Sequence, residues 1–196
     1  MAKKLILASA SPRRSEILST AGYSYTVVPS SAEEVMCGKS GGELAELNAI
    51  EKAREVFSRC GGDIAVVGAD TVVCLNGRIL GKPKDKKDAF SMLKALSGSR
   101  HEVITGYAVI SQDGTDSGYC TTTVRFCELS DSEINAYIAT DEPMDKAGAY
   151  GIQERACLFA EEFSGDFFNI IGLPVAKLCP LLKKHGILPD WQKEDC

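Results

Sequence analysis

One carboxylate, that of Asp70, lies inside an otherwise apolar stretch, VVGADTVV (residues 66–73). Burial of a carboxylate is costly unless the group is hydrogen-bonded, paired with a cation or bound to a metal. An aspartate that caps a turn, with Thr71 beside it, is the alternative explanation. Because the apolar flanks give little reason for a solvated charge, the pattern favours a functional role for Asp70.

A second stretch, LASASPRRSEIL (residues 7–18), places Arg13 and Arg14 where a predicted strand gives way to a predicted helix. The N-terminus of a helix presents free backbone N–H groups and the positive end of the helix dipole, which suit an anion. Two guanidinium groups at that point favour a phosphate site. The same residues also fit an ordinary helix start, with Ser11 as N-cap and Pro12 in the first turn, and solvated arginines.

Other cations and acids recur along the chain. Lys52 lies on a predicted helix, Lys82 lies in a Gly-Pro loop, and Glu33 and Glu34 follow the second predicted strand. Taken singly, each lysine is more often a solvated surface charge. Together with Asp70, however, these cations and Mg²⁺-binding carboxylates are the groups that a nucleoside triphosphate needs.

A glycine-rich segment, EPMDKAGAYGIQ (residues 142–153), ends in Gln153. Glycines allow a ligand to approach the backbone closely, and a glutamine amide can both donate to and accept from the edge of a base. This segment is therefore a candidate for base recognition.

Length and composition bound the possible partners. The chain has 196 residues, of which 44% are hydrophobic and 25% charged, so it can bury a core. The net charge of −5 does not favour a nucleic-acid polymer as partner, and any anion site must be built locally. No stretch approaches the roughly 20 apolar residues of a membrane span, so no membrane partner is expected.

Eight cysteines are spread through the chain without C-x-x-C spacing, and there are only two histidines. These features disfavour a zinc site. Several cysteines lie in apolar runs, as Cys74 does in VVCL, where a free thiol behaves as a small hydrophobic group. Reduced cysteines and the lack of a signal-peptide pattern predict a cytoplasmic protein.

Alternating strand and helix patterns predict an α/β fold. The predicted strands cover residues 5–8, 25–29, 64–75, 102–111 and 121–129. The predicted helices cover residues 12–21, 42–60, 86–96, 131–140 and 175–185. The last two strands are expected to form an antiparallel hairpin with a turn at Asp113-Gly114, which makes the sheet mixed rather than purely parallel.

The quoted motifs also carry a family resemblance. In chain order they are LASASPRR, EE, KA, GADTVV, GKP, LSGSRHEVITG, EPMDKAGAYGIQ and GDFFNIIGLP. This series, which extends along nearly the whole chain, resembles the Maf family of nucleotide pyrophosphatases. The resemblance implies one domain over residues 1–196, with a bent mixed β-sheet flanked by helices and two lobes around a central cleft. It implies a fold related to the inosine triphosphate pyrophosphatases and, as a further possibility, a homodimer.

The resemblance also implies an activity, the hydrolysis of a nucleoside triphosphate to the monophosphate and pyrophosphate with Mg²⁺ or Mn²⁺. The block DKAGAYGIQ is similar to the branch that acts on dTTP and UTP in nucleotide-pool house-cleaning. In that branch Asp70 takes the role of proton acceptor, and Glu34 matches a further binding position. As a hypothesis about the mechanism, we expect Asp70 and Glu34 to hold the metal. The positions tied to substrate choice are Arg13, Thr71 and Gln153. The remaining substrate-binding positions are Ser9, Arg14, Lys52 and Lys82, and His101 is expected to have a structural or supporting part.

Two alternatives stay open. The first is the same chemistry on another nucleotide, methylated or otherwise modified, which only a substrate panel separates. The second is a nucleotide-sensing regulator of cell division that binds but does not hydrolyse. Asp70 and Glu34 favour the enzyme, because a sensor needs cations more than a pair of metal-binding carboxylates.

Overall fold

A computed structural model describes residues 3–35 and 40–193. The strands are β1 (Lys4–Leu7), β2 (Thr26–Val27), β3 (Ile64–Leu75), β4 (Arg78–Leu80), β5 (Arg100–Ser111), β6 (Gly114–Phe126) and β7 (Ala160–Ser164). The α-helices are α1 (Pro12–Thr20), α2 (Gly41–Cys60), α3 (Lys86–Leu96), α4 (Asp131–Ile138), α5 (Phe167–Ile171) and α6 (Val175–Lys184). Short 3₁₀ helices cover Glu142–Asp145, Ala147–Ala149, Arg155–Leu158 and Asp190–Gln192.

The strands form one mixed sheet in the order β2-β1-β3-β5-β6-β7, with β4 paired to β3. β1 is parallel to both β2 and β3, whereas β4, β5, β6 and β7 join by antiparallel pairing. The predicted mixed α/β sheet is therefore confirmed. Within the described residues, no helix combines the length and apolar character needed to cross a membrane.

The predicted hairpin is present, but the prediction of its second strand was wrong. Ser111 pairs with Gly114, so the turn is tight and β6 begins seven residues before the predicted start. The first half of β6 is partly exposed and polar, and pairing with β5 holds it extended although its sequence lacks an apolar alternation. Strands β4 and β7 and helix α5 are short elements that the sequence analysis missed.

Helix α2 packs closely on one face of the sheet because two glycines lie beneath it. A Cβ atom on Gly68 would lie 2.1 Å from the carbonyl oxygen of Ala49, and one on Gly106 would lie 2.1 Å from that of Ala45. Any larger residue would push the helix away from the sheet. This close approach brings the polar side chains of α2 within reach of β3.

The opposite face of the sheet is covered in two places rather than one. Ala65, Val67 and Ala69 of β3 belong to a core cluster with α1 and α6, whereas Val73 belongs to a different cluster with α3 and α4. Thr71 lies between the two clusters along the strand. This face of the sheet therefore carries two separate cores, and the boundary between them crosses β3 at Thr71.

The edge of β3 is also interrupted at this point. β1 pairs with residues 64–67 and β4 with residues 73–75, and no strand in the described part of the chain pairs with the intervening edge at residues 68–72. Successive residues of a strand point to opposite faces. Asp70 therefore points towards α2 and Thr71 away from it, and both lie at the same gap in the sheet edge.

Candidate active site

A cleft of about 470 Å³ opens at the gap beside β3. It lies between the end of β1 and the start of α1 on one side and the loops around Lys82 and residues 145–153 on the other. All nine predicted site residues line it, namely Ser9, Arg13, Arg14, Glu34, Lys52, Asp70, Thr71, Lys82 and Gln153. Glu33, the other candidate acid, is exposed and is not among the lining residues.

Lys52 joins the two carboxylates that were predicted to work together. Its Nζ donates to Asp70 Oδ1 and to Glu34 Oε1, each at 2.6 Å. Asp70 is buried and Lys52 nearly so, whereas the Glu34 side chain is partly open to solvent. The charge of Asp70, costly to bury alone, is thus paired with a cation at the floor of the cleft.

The pKa of Glu34 lies below its ordinary value. Burial by itself would raise this pKa. The hydrogen bond and charge of Lys52, together with the charges of Lys82 and Arg14, lower the pKa by more than burial raises it. The carboxylate is accordingly held in its ionised form in the cleft at neutral pH.

Arg14 is fixed by three contacts that arrive from three parts of the chain. Its Nε donates to the carbonyl of Gly172 at 2.9 Å, Nη1 to Ser9 Oγ at 3.1 Å and Nη2 to Thr71 Oγ1 at 3.2 Å. Burial lowers the pKa of Arg14, against the opposing influence of Asp70. The guanidinium is therefore an anchored cation rather than the freely solvated one of the alternative explanation.

The helix start around Arg14 differs in one detail from the simple cap. Ser11 is the N-cap residue of α1, but its side chain makes no capping hydrogen bond. Ser9 Oγ instead accepts a hydrogen bond from the Ser11 backbone N–H at 3.2 Å. Ser9 thereby contacts both the helix start and Arg14, which orders this edge of the cleft.

The remaining predicted residues stand further apart. Arg13 Nη1 lies 3.9 Å from Asp145 Oδ2 and 3.8 Å from Glu154 Oε1, across the cleft from α1. Lys82 and Gln153 are exposed residues on the far wall. The structure thus brings these three side chains to the same cleft without placing them in contact with Asp70.

Residues that the sequence analysis did not single out complete the site. Asn48 donates from Nδ2 to Asp70 Oδ2 at 3.0 Å. Thr105 Oγ1 lies 3.0 Å from Thr71 Oγ1 and donates to the backbone carbonyl of Asn169. For Asn48, a polar residue on the otherwise apolar buried face of α2 was the available signal.

His101 contacts the cleft indirectly, through one lining residue. It is buried, and its Nε2 lies 2.8 Å from the hydroxyl of Tyr150, a residue that lines the cleft. Burial lowers the pKa of His101 to about 4, so the ring is neutral near pH 7. His101 itself is not among the residues that line the cleft.

The cleft offers two carboxylates, those of Asp70 and Glu34, to a divalent metal. In residues 3–35 and 40–193, no group of three or more His, Cys, Asp or Glu side chains is arranged to hold an ion. Mg²⁺, however, is commonly held by one or two carboxylates together with substrate phosphates. Asp70 and Glu34, which already share the ammonium of Lys52, fit that mode of binding.

Residues 4–185 match the family described as Maf-like protein. The chain belongs to this family. It is 55% identical to a dTTP/UTP pyrophosphatase of Thermococcus gammatolerans over 87% of the chain and 91% of that relative. It is 50% identical to one of Alkaliphilus oremlandii over 93% of the chain and 96% of the relative. A third, from Bacillus pumilus, is 46% identical over 95% of the chain and 98% of the relative.

Among solved structures, the Staphylococcus aureus Ham1 protein is similar with a TM-score of 0.53 at 16% identity, over 93% of this chain and 99% of that one. At this identity the likeness concerns the fold alone. It agrees with the predicted relation to the inosine triphosphate pyrophosphatase fold, and the predicted family and fold class are both confirmed.

Proposed function

We propose that this protein is a nucleoside triphosphate pyrophosphatase that hydrolyses dTTP, UTP and modified pyrimidine analogues to the monophosphate and pyrophosphate. The observation that carries the proposal is the cluster of Asp70, Lys52 and Glu34 in a cleft lined by further cations. The names of three relatives at 46–55% identity support the same activity.

Asp70 is the proton acceptor in this proposal. Its carboxylate faces the cleft and is paired with the ammonium of Lys52, so it can take the proton of a water that attacks the α-phosphorus. The bond from the α-phosphorus to the bridging oxygen breaks, and pyrophosphate leaves. Lys52 keeps the carboxylate of Asp70 in one place during this step.

The arginines and Lys82 bind the triphosphate. Arg14 is pre-oriented by Gly172, Ser9 and Thr71. The side chain therefore loses little conformational entropy when it binds phosphate oxygens. Cations placed beforehand at the leaving group stabilise the charge that grows there in the transition state. The exposed ammonium of Lys82 is free to follow the phosphate tail from the other lobe.

Gln153 and Thr71, with Arg13, are proposed to set the choice of base. The amide of Gln153 can match the alternating donor and acceptor edge of a uracil-type base. A base with the wrong edge leaves polar groups unpaired in the complex, which lowers the rate for the wrong nucleotide.

A divalent cation, Mg²⁺ or Mn²⁺, is part of the proposal, with Asp70 and Glu34 as its protein ligands. When bound together with the triphosphate, the cation would offset the negative charge of the phosphate oxygens and lower the pKa of bound water. The low pKa of Glu34 supports this assignment, because a ligand must be deprotonated.

Residues 1–196 act as one catalytic domain in this proposal, and no nucleic-acid polymer or membrane takes part. A cytoplasmic location suits the six cysteines that the structure describes, all of which carry free thiols. A homodimer is tested by light scattering on the purified protein.

Product analysis tests the function. The purified protein is incubated with dTTP, UTP, CTP, ATP, GTP and 7-methyl-GTP in the presence of Mg²⁺ or Mn²⁺. We expect monophosphate and pyrophosphate from dTTP and UTP. Release of orthophosphate, preference for 7-methyl-GTP, or a nucleotide that binds and persists unchanged would each contradict the proposal.

A further inference from the structure

We propose that Asn48 is a positioning residue that fixes the carboxylate of Asp70 and ties it to the backbone segment that carries Glu34. This inference rests on the proposed function, in which Asp70 accepts a proton. Asn48 lies on α2, one helical turn before Lys52, and is 2% exposed. Residues four apart on a helix share a face, so both side chains reach Asp70 from the same helix.

The amide of Asn48 makes three hydrogen bonds. Its Nδ2 donates to Asp70 Oδ2 and to the carbonyl of Val35, each at 3.0 Å. Its Oδ1 accepts from the backbone N–H of Val35 at 2.9 Å. The side chain therefore has both amide hydrogens and its oxygen engaged, in a buried place where an unpaired polar group would be costly.

These contacts close a ring around the reacting carboxylate. Lys52 holds Oδ1 of Asp70 while Asn48 holds Oδ2, so the two oxygens are fixed by different side chains. Asn48 also holds Val35, which follows Glu34, and Glu34 returns to Lys52. The carboxylate of an unrestrained aspartate takes a broad range of terminal torsion angles. Removal of the amide would leave Asp70 held at one oxygen only.

A purely structural role is the alternative for Asn48. The buried face of α2 otherwise carries Gly42, Leu44, Ala45, Ala49, Ala53 and Val56. An apolar residue at position 48 would suit this face, and the amide would then serve only to fasten the loop at Val35. The two roles differ in what happens to turnover, because only the positioning role acts through the orientation of Asp70.

Steady-state kinetics on dTTP with Asn48→Leu separates the roles. We expect kcat to fall about 10- to 100-fold while KM changes less than about threefold, because the cations that bind the triphosphate are untouched. Val56→Ala is the matched control, since Val56 is buried on the same helix and packs against the sheet away from Asp70. The Val56→Ala variant should be less stable, because the substitution leaves a cavity, but it should keep the wild-type kcat.

A second variant, Asn48→Ala, removes the same amide and adds no bulk, so it cannot overpack the contact between α2 and the sheet. It truncates a buried side chain of α2 as Val56→Ala does, so the two alanine variants are compared directly. We expect Asn48→Ala to lower kcat about 10-fold or more at nearly unchanged KM, whereas Val56→Ala keeps the wild-type kcat.

The outcomes are distinct. A wild-type protein that hydrolyses no nucleotide overturns the proposed function, and this inference falls with it. An active wild type with Asn48→Leu no slower than Val56→Ala overturns the positioning role alone. Where Asn48→Leu fails to fold, Asn48→Ala decides. A kcat equal to that of Val56→Ala contradicts the inference, and a kcat at least about 10-fold lower at nearly unchanged KM supports it.

Discussion

Two clusters in this protein each join three polar side chains by hydrogen bonds or ion pairs, but they differ in the chemistry that they can perform. In the cleft, Lys52 joins Asp70 and Glu34. Elsewhere, His185 Nδ1 lies 2.7 Å from Ser111 Oγ and its Nε2 lies 2.8 Å from Asp116 Oδ2. The second cluster has the residue types of a hydrolase triad, whereas the first contains no serine, threonine or cysteine.

Surroundings separate the two clusters. Ser111 and His185 are buried, neither lines the cleft, and the ring faces the serine with Nδ1, the opposite of the catalytic arrangement. The Ser111 hydroxyl also accepts from the backbone N–H of Asp113, so it is committed to the β5–β6 turn. The cluster fastens the end of α6 to that hairpin. Contact between reactive residue types is therefore not sufficient for a site, and access to a cleft with further cations decides.

The largest expected effect comes from Asp70→Asn. The variant keeps the size of the side chain but loses the base, so we expect kcat for dTTP to fall about 10²- to 10⁴-fold in steady-state assays. Glu33→Gln is the control, because Glu33 is an exposed acid near Glu34 that does not line the cleft. Normal turnover by Asp70→Asn would remove the distinction between the two clusters.

Arg14→Ala should have the next largest effect. Loss of a pre-oriented guanidinium is expected to lower kcat/KM for dTTP about 10²-fold, measured at fixed metal concentration. Arg14→Lys should recover little of this loss, since an ammonium cannot make the three contacts to Gly172, Ser9 and Thr71 at once. Full activity of the lysine variant would show that charge alone is enough.

Gln153→Ala should change selectivity more than rate. We expect the preference for dTTP over dCTP, as the ratio of the two kcat/KM values, to drop about 10-fold because one base contact is lost. Gln112→Ala, at the β5–β6 turn, is a control that should leave this ratio unchanged. An unaltered ratio in Gln153→Ala would place base recognition elsewhere in the cleft.

Ser111→Ala should have the smallest effect on turnover. The variant leaves His185 Nδ1 without its partner, and we expect unfolding in denaturant to cost about 1–3 kcal/mol less than in the wild type. kcat for dTTP should stay within about twofold of wild type, since nothing in the cleft changes. A large loss of activity in a folded variant would mean that the second cluster takes part in function.

Much of the fold followed from local patterns. An apolar run rich in β-branched residues predicted β3 with the bounds that the structure has. A helical pattern predicted α3 with the correct bounds as well. Elements without such patterns were not predicted, and the exposed strand β7, with the sequence AEEFS, is an example. Its extended form comes from pairing with β6, a long-range contact that no short window of sequence reports.

The sequence alone determined the chemistry that was available. One carboxylate in an apolar strand, a double arginine at a helix start and a set of ordered motifs sufficed to predict the family and nine residues of a common cleft. These signals are local because burial and helix capping act on neighbouring residues.

Only the tertiary structure decided how those residues meet. The gap in the edge of β3 between β1 and β4 makes the cleft, and close packing over Gly68 and Gly106 brings α2 to Asp70. Lys52 and Asn48 reach the two oxygens of that carboxylate as a result. Such contacts join residues about 20 positions apart through the packing of a helix on a sheet, and their geometry is fixed by close packing rather than by local preference.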